Sequence, residues 1–167
     1  MKLFTMALAF LTLSAHAQTN PDPFAPIQFL KGTWEAKGAG PGGVSTTGTY
    51  TFAPDLKNHI LARTGPPNAS CTGPSSFDCD HGDMLYVYPE AGTLHAIYFD
   101  NEGHVIHYGV TTPTPTSAVF LSDSAQPGPQ FRLTYELKSG IMTGRFQMHM
   151  PGAADWTTYL EWSGAKK

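Results

Sequence analysis

Residues 130–150 read QFRLTYELKSGIMTGRFQMHM, two runs of alternating character on either side of Ser139-Gly140. A two-residue loop containing glycine between such runs is a hairpin signal, and it fixes the pairing of both flanks. Lys138 then faces Ile141, Leu137 faces Met142, Tyr135 faces Gly144, Leu133 faces Phe146 and Phe131 faces Met148. One side of this hairpin is apolar or aromatic throughout, apart from the glycine. The other carries Arg132, Thr134, Glu136, Lys138, Thr143, Arg145 and Gln147, with Ile141 its one apolar member. Strand side chains alternate with a period of two, so a slip by one residue would send the whole apolar set into water. The hairpin must therefore cover a buried space with one face and meet solvent with the other.

Residues 155–162 extend that face, with Trp156, Leu160 and Trp162 at even spacing and Asp155, Tyr159 and Glu161 on the reverse. Nowhere after residue 17 does a helical apolar period persist for three turns. Short β-branched and aromatic runs alternate instead with clusters of Gly, Pro, Asn and Asp. Strands are expected at 33–37, 48–53, 59–64, 83–88, 93–99, 104–111, 117–122, 130–138, 141–150 and 155–162. A short helix at 23–30, ended by Gly32, reads as a lid or plug. Ten short strands joined in series, mostly by short turns, favour antiparallel neighbours, and closure into an up-and-down barrel hides their edges. A two-sheet sandwich has the same rhythm of strands and turns and is the alternative.

Two turns share one form, Pro89-Glu90-Ala91-Gly92 and Asp100-Asn101-Glu102-Gly103, each a type I turn closed by a glycine bulge. In that geometry Phe99 opposes Val105 and Tyr98 opposes Ile106. One face of the three-strand patch then carries Met84, Tyr86, Tyr88, Leu94, Tyr98, Ile106, Tyr108 and Val110. The other has Leu85, Val87, His95, Ile97, Phe99, Val105 and His107. An aromatic face with several phenol groups suits a pocket that is mostly apolar with a few placed polar groups, so the tyrosine face is aimed inward. His95 and His107 fall on one face in diagonal positions of paired strands. They are the candidate metal pair, short of the three or four donors that a complete site needs. His104 beside Asp100 is the candidate acid–base couple, with His107 as a further titratable neighbour.

The first 17 residues carry Lys2, an apolar stretch from Leu3 to Leu13 and Ala15-His16-Ala17, the three parts of a cleaved export signal. That stretch is shorter than the roughly 18–20 residues of a membrane span. Residues 18–167 are then one domain, exported to the periplasm or secreted. Of the 10 Lys plus Arg and 13 Asp plus Glu, only Lys2 lies in the signal, which leaves a formal charge of −4. Such a balance argues against a nucleic-acid or anionic-membrane partner. Cys71 and Cys79 are the only cysteines, and in an oxidising compartment they are expected to pair across a loop rich in Pro, Gly, Ser and Asp. No Gly-x-Ser-x-Gly, His-Glu-x-x-His or phosphate-binding glycine loop occurs.

The stretch Phe29-Leu30-Lys31-Gly32-Thr33-Trp34-Glu35 resembles the Gly-x-Trp opening of lipocalin-like and fatty-acid-binding-like barrels, the calycin group. The run from Tyr98 to Tyr108 looks like a hairpin of exported bacterial lipocalin-like domains of unassigned function. The resemblance implies a barrel of eight to ten strands that binds a small hydrophobic molecule. It also implies that Trp34 packs under the barrel against a basic side chain from a late strand, for which Arg132 and Arg145 are candidates that the hairpin register turns outward. Related haem-binding barrels use a late-strand histidine. His149 is placed like that, yet its register points it away from the interior. The expectation is a carrier or sensor that needs no cofactor and holds an apolar or aromatic ligand among Tyr86, Tyr98, Tyr108, Phe131, Leu133, Tyr135, Phe146, Met148 and Trp156. The alternatives are a lipocalin-type enzyme using His104, Asp100 or His107, and haem or metal binding through His95, His107 or His149.

Overall fold

The computed structural model describes residues 22–66, 70–123 and 128–167. The export signal read at residues 1–17 lies outside them. Eleven strands follow in chain order: β1 (Gly32–Gly40), β2 (Val44–Asp55), β3 (Ile60–Thr64), β4 (Ser70–Thr72), β5 (Asp83–Glu90), β6 (Thr93–Asp100), β7 (Val105–Thr114), β8 (Ser117–Ser122), β9 (Gln130–Lys138), β10 (Ile141–His149) and β11 (Thr157–Ala165). β1 pairs with β2 along its whole length and with β11 at Lys37↔Ser163, Gly38↔Trp162 and Ala39↔Glu161. That double pairing closes ten strands into an antiparallel barrel, and the three-residue β4 lies beside residues 45–47 of β2. One continuous sheet rules out the sandwich.

The β9–β10 register is the one its loop dictates. Ser139 and Gly140 both take positive φ, +51° and +80°, the type I′ geometry whose twist matches that of the strands. Tyr135 faces Gly144, Leu133 faces Phe146 and Phe131 faces Met148. Leu133, Tyr135 and Met142 are buried. Gly144 has its own reason. A Cβ there would overlap the Trp162 indole, so the glycine makes room for the largest side chain of the neighbouring strand.

Two expectations about strand faces are corrected. The turn after β5 is not a type I turn with a bulge. Ala91 itself adopts φ +48° and Gly92 φ +82°, which makes a two-residue type I′ loop with Glu90 opposite Thr93 and Leu85 opposite Tyr98. The shift of one residue turns β5 over. Leu85 and Val87 are fully buried, whereas Tyr86 lies outside against Phe99, with ring centroids 6.4 Å apart. Trp156 is also outside. A bulge between Phe146 and Gln147 opposite Tyr159 changes the parity of β11, pairing Met148 with Thr157. Trp156 then lies under the Arg132 guanidinium, 4.2 Å from the ring centre, and beside His149.

One end of the barrel is sealed. The segment expected as a helix at 23–30 is a 3-10 turn over Ala25–Leu30, started by Asp22, whose carboxylate accepts from the Phe24 N–H at 2.9 Å and pairs with Lys31 at 3.3 Å. Phe24, Ile27 and Leu30 are each 0% exposed, and burial of such a side chain contributes about 1.5–3 kcal/mol. The Trp34 indole N–H donates to the Leu30 carbonyl at 2.8 Å. The basic group over the Trp34 ring is Lys166, 5.6 Å from its centre, and neither Arg132 nor Arg145. Arg132 is engaged with Trp156 and Gln147, and Arg145 with Glu161. No helix among the described residues is long and apolar enough to cross a membrane.

Candidate functional site

The other end of the barrel opens on a hollow of about 460 Å³, inside the 300–1,000 Å³ range of small-molecule sites. Its wall holds Phe131, Leu133, Tyr135, Phe146 and Met148 from the β9–β10 hairpin, and Tyr98 and Tyr108 from β6 and β7. Seven of the nine side chains expected to enclose a ligand are thus brought together here. Tyr86 and Trp156 are not, for the reasons of register and bulge given above. Phe131 and Phe146 stack with planes 9° apart. Deeper in, Tyr135 is the hub of edge-to-face or tilted contacts with Tyr50, Phe52, Phe120 and Trp162, at 5.3 to 6.0 Å between centroids.

The sequence reading missed the charged pair in this wall. Arg63 of β3 and Asp83 of β5 meet at 2.6 Å, with side chains only 13% and 21% exposed. Leu61, Arg63, Leu85 and Val87 share the inward face through the pairings Leu61↔Val87 and Arg63↔Leu85. The clue was Arg63 two residues from Leu61 on one strand face, but using it required the correct β5 parity. The guanidinium also lies over the Tyr50 ring, 5.3 Å from its centre, a cation–π geometry. Burial opposes the Arg63 charge, but attraction to Asp83 and to the nearby phenols outweighs it and keeps the group firmly protonated.

Around this pair the polar atoms are left over. Tyr50 Oη, Tyr108 Oη, Tyr135 Oη, Arg63 Nε and Trp162 Nε1 are shut off from solvent and make no hydrogen bond among the described residues. All five residues border the hollow. A buried polar group without a partner costs about 1–3 kcal/mol. Burial pushes the Tyr50 phenol up to about 12, with Trp162 and Arg63 pulling the other way by less. Tyr98, Tyr108 and Tyr135 are raised further, burial again being the main cause and Asp83 adding to it.

The rim has a different chemistry. The turn Asp100-Asn101-Glu102-Gly103 forms as expected, with Gly103 at φ +90°. Asp100 accepts from the backbone N–H groups of Glu102 and His104 at 3.1 and 2.8 Å, and its other oxygen lies 2.8 Å from His104 Nδ1. Burial would raise the Asp100 carboxyl, but those hydrogen bonds and the facing imidazole hold it below the ordinary carboxylate range. His81 Nε2 lies 3.0 Å from the Tyr98 hydroxyl. Cys71 and Cys79 form the expected disulfide. Their loop is tied to the turn by Asn101, which donates to Asp80 O at 3.0 Å and accepts from Gly82 N at 2.9 Å. The same loop carries Phe77 onto Tyr159, the bulged residue of β11, in a stack at 6.0 Å.

The histidines expected as metal ligands lie elsewhere. His95 stacks on Tyr88 and bonds Thr93 on the outer face, and His107 is exposed. Among the described residues, the groups with donor atoms close enough for a metal ion are Asp78, His81 and Glu102, and Asp100, Glu102 and His104, all at the rim. They share Glu102, and one nitrogen of each histidine is already engaged by Tyr98 or Asp100. His149 sits outside beside Trp156, as its register required.

Comparison with known proteins is limited to shape. No family model and no curated protein matches the chain. Among solved structures it is similar to EF1p2_mFAP2b bound to DFHBI, at 13% identity over 86% of this chain and 98% of that one, with a TM-score of 0.39. A redesigned β-barrel, mFAP1, also bound to DFHBI, is 14% identical over 85% and 99% of the two chains, with a TM-score of 0.37. A third similar structure is the redesigned barrel b11L5F_LGL, 14% identical over 86% and 95%, with a TM-score of 0.38.

Proposed function

We propose that residues 18–167 form one exported domain, periplasmic or secreted, that carries or senses a small apolar or aromatic molecule held inside the barrel. The observation that supports this most directly is the hollow of about 460 Å³ walled by Phe131, Leu133, Phe146 and Met148 and open at one end only. Burial of ligand surface there is worth roughly 25 cal/mol per Å² removed from water. The Cys71–Cys79 disulfide fits an oxidising compartment. Titration of the purified protein with Nile red, an uncharged polarity-sensitive dye, should give saturable one-to-one binding with a blue shift. Leu133→Trp, which fills the hollow, should weaken that binding at least tenfold, about 1.4 kcal/mol. Unsaturable binding that ignores Leu133→Trp would refute the interior site.

A second reading, a lipocalin-type enzyme with His104 as acid or base, draws on the 2.8 Å contact between His104 and Asp100 at the rim. The backbone bonds to Asp100 give that carboxylate a structural task, and His107 lies on the exposed face of β7, opposite Ile97. His104→Ala should leave Nile red affinity within tenfold.

A further inference from the structure

The mouth of the hollow brings together donors from two separate segments. Asp78 and His81 belong to the disulfide loop and Glu102 to the turn between β6 and β7, and one ligand atom from each lies within 4.8 Å of the other two. The backbone on either side of His81 is bonded to the residue before Glu102. Asn101 donates its side-chain amide to Asp80 O and its backbone N–H to Gly82 O, and its side-chain oxygen accepts from Gly82 N. Behind the imidazole, His81 Nε2 meets the Tyr98 hydroxyl at 3.0 Å, while Nδ1 faces Glu102 Oε1 at 4.0 Å. A proton kept on Nε2 and donated to Tyr98 leaves the Nδ1 lone pair for a cation, and an outer hydrogen bond of this kind is what orients a metal-binding histidine. One Asp78 oxygen accepts from the Asp80 N–H at 2.8 Å, which leaves the second to ligate. In the neighbouring trio of Asp100, Glu102 and His104, by contrast, both Asp100 oxygens and His104 Nδ1 are already engaged.

The donor set selects the ion. Two carboxylates and a neutral imidazole together match the charge of a divalent cation. Calcium and magnesium take oxygen shells, whereas an imidazole nitrogen beside carboxylates suits zinc. Ligand atoms around tetrahedral zinc stand ~3.4 Å apart, so assembly asks for roughly 1 Å of movement by His81 and Glu102, whose side chains are 32% and 42% exposed and free to make it. We propose that Asp78, His81 and Glu102 form a three-ligand site for a divalent cation of the zinc class, with a fourth position left for water. All three residues border the hollow, so the bound ion would pin the disulfide loop to the β6–β7 turn at the opening.

Zinc binding here needs nothing inside the barrel, so it can be measured on the chelator-treated full protein by calorimetric titration with zinc chloride. The tightest zinc should bind one to one with the chain, at least tenfold more tightly than calcium or magnesium. His81→Gln and Glu102→Gln should each weaken it at least tenfold. Both positions are partly exposed, so both variants should keep the wild-type circular dichroism, and should one lose it the other decides. Tyr98→Phe, which removes only the hydroxyl behind His81, should weaken zinc about tenfold. His104→Ala and His107→Ala should change its affinity less than threefold. Absence of saturable zinc binding overturns the site, as does binding that survives both glutamine variants. Calcium binding as tightly as zinc overturns it too, and so does a loss that follows His104→Ala instead, which would assign the ion to the neighbouring trio.

Discussion

The two ends of this barrel solve opposite problems with similar residues. At the sealed end Phe24, Ile27, Leu30 and Trp34 are almost wholly buried, and the polar atom of the indole is bonded to a carbonyl. Towards the open end Tyr50, Tyr108, Tyr135 and Trp162 are buried nearly as deeply, yet their polar atoms have no hydrogen-bond partner among the described residues. The difference teaches where the molecule is finished and where it is not. Satisfied aromatics mark the end that holds the fold together, and unsatisfied ones mark the end that has room for something else.

The contrast can be tested from either side. The largest effect should come from Leu30→Ala, which empties a fully buried position in the plug. It should cost about 2–5 kcal/mol in urea unfolding while changing Nile red affinity less than threefold, because Leu30 does not border the hollow. A comparable loss of affinity would show that the ends are not independent. Next, Cys71→Ser/Cys79→Ser opens a nine-residue ring at the rim, worth up to about 2.5 kcal/mol on the chain-entropy model. Its unfolding free energy should fall by less than that of Leu30→Ala.

The smallest effect at neutral pH, nil by construction, is the alkaline one. Tyr50, Tyr98, Tyr108 and Tyr135 have folded-state values raised above the ordinary 10.0. Their contribution to stability is therefore complete below pH 10 and is lost as pH rises through the folded values. Ultraviolet difference absorbance should show these four phenols ionising only well above pH 10, together with loss of the β-sheet circular dichroism. Ionisation of all seven tyrosines near pH 10 in a folded protein would mean that the open end is wet throughout.

How much of this was legible depended on local turn chemistry. Ser139-Gly140 left no choice of register, so the faces of β9 and β10 could be read outright. The Asp100–Gly103 turn was equally readable from its glycine. Pro89-Glu90-Ala91-Gly92 looked like the same turn, but Ala91 accepts a left-handed conformation that sequence alone assigns to Gly, Asn or Asp. That one φ angle moved Tyr86 out and brought Asp83 in. Trp156 was lost to a bulge opposite Tyr159, which no residue type announces. The Arg63–Asp83 pair joins strands on either side of the long disulfide-bearing loop, and a side-chain meeting of that kind follows only from the three-dimensional register.

β1 is bonded on both flanks, to β2 within its own hairpin and to β11 from the far end of the chain. Every other pairing in the barrel joins strands that are near neighbours in sequence, while Lys37↔Ser163 spans nearly all of the described chain. Loop-closure entropy makes that seam the costliest contact to establish during folding. Until it zips, the meander has two raw borders able to recruit strands from other molecules. The step that completes the vessel is thus also the step that protects newly made chains from one another.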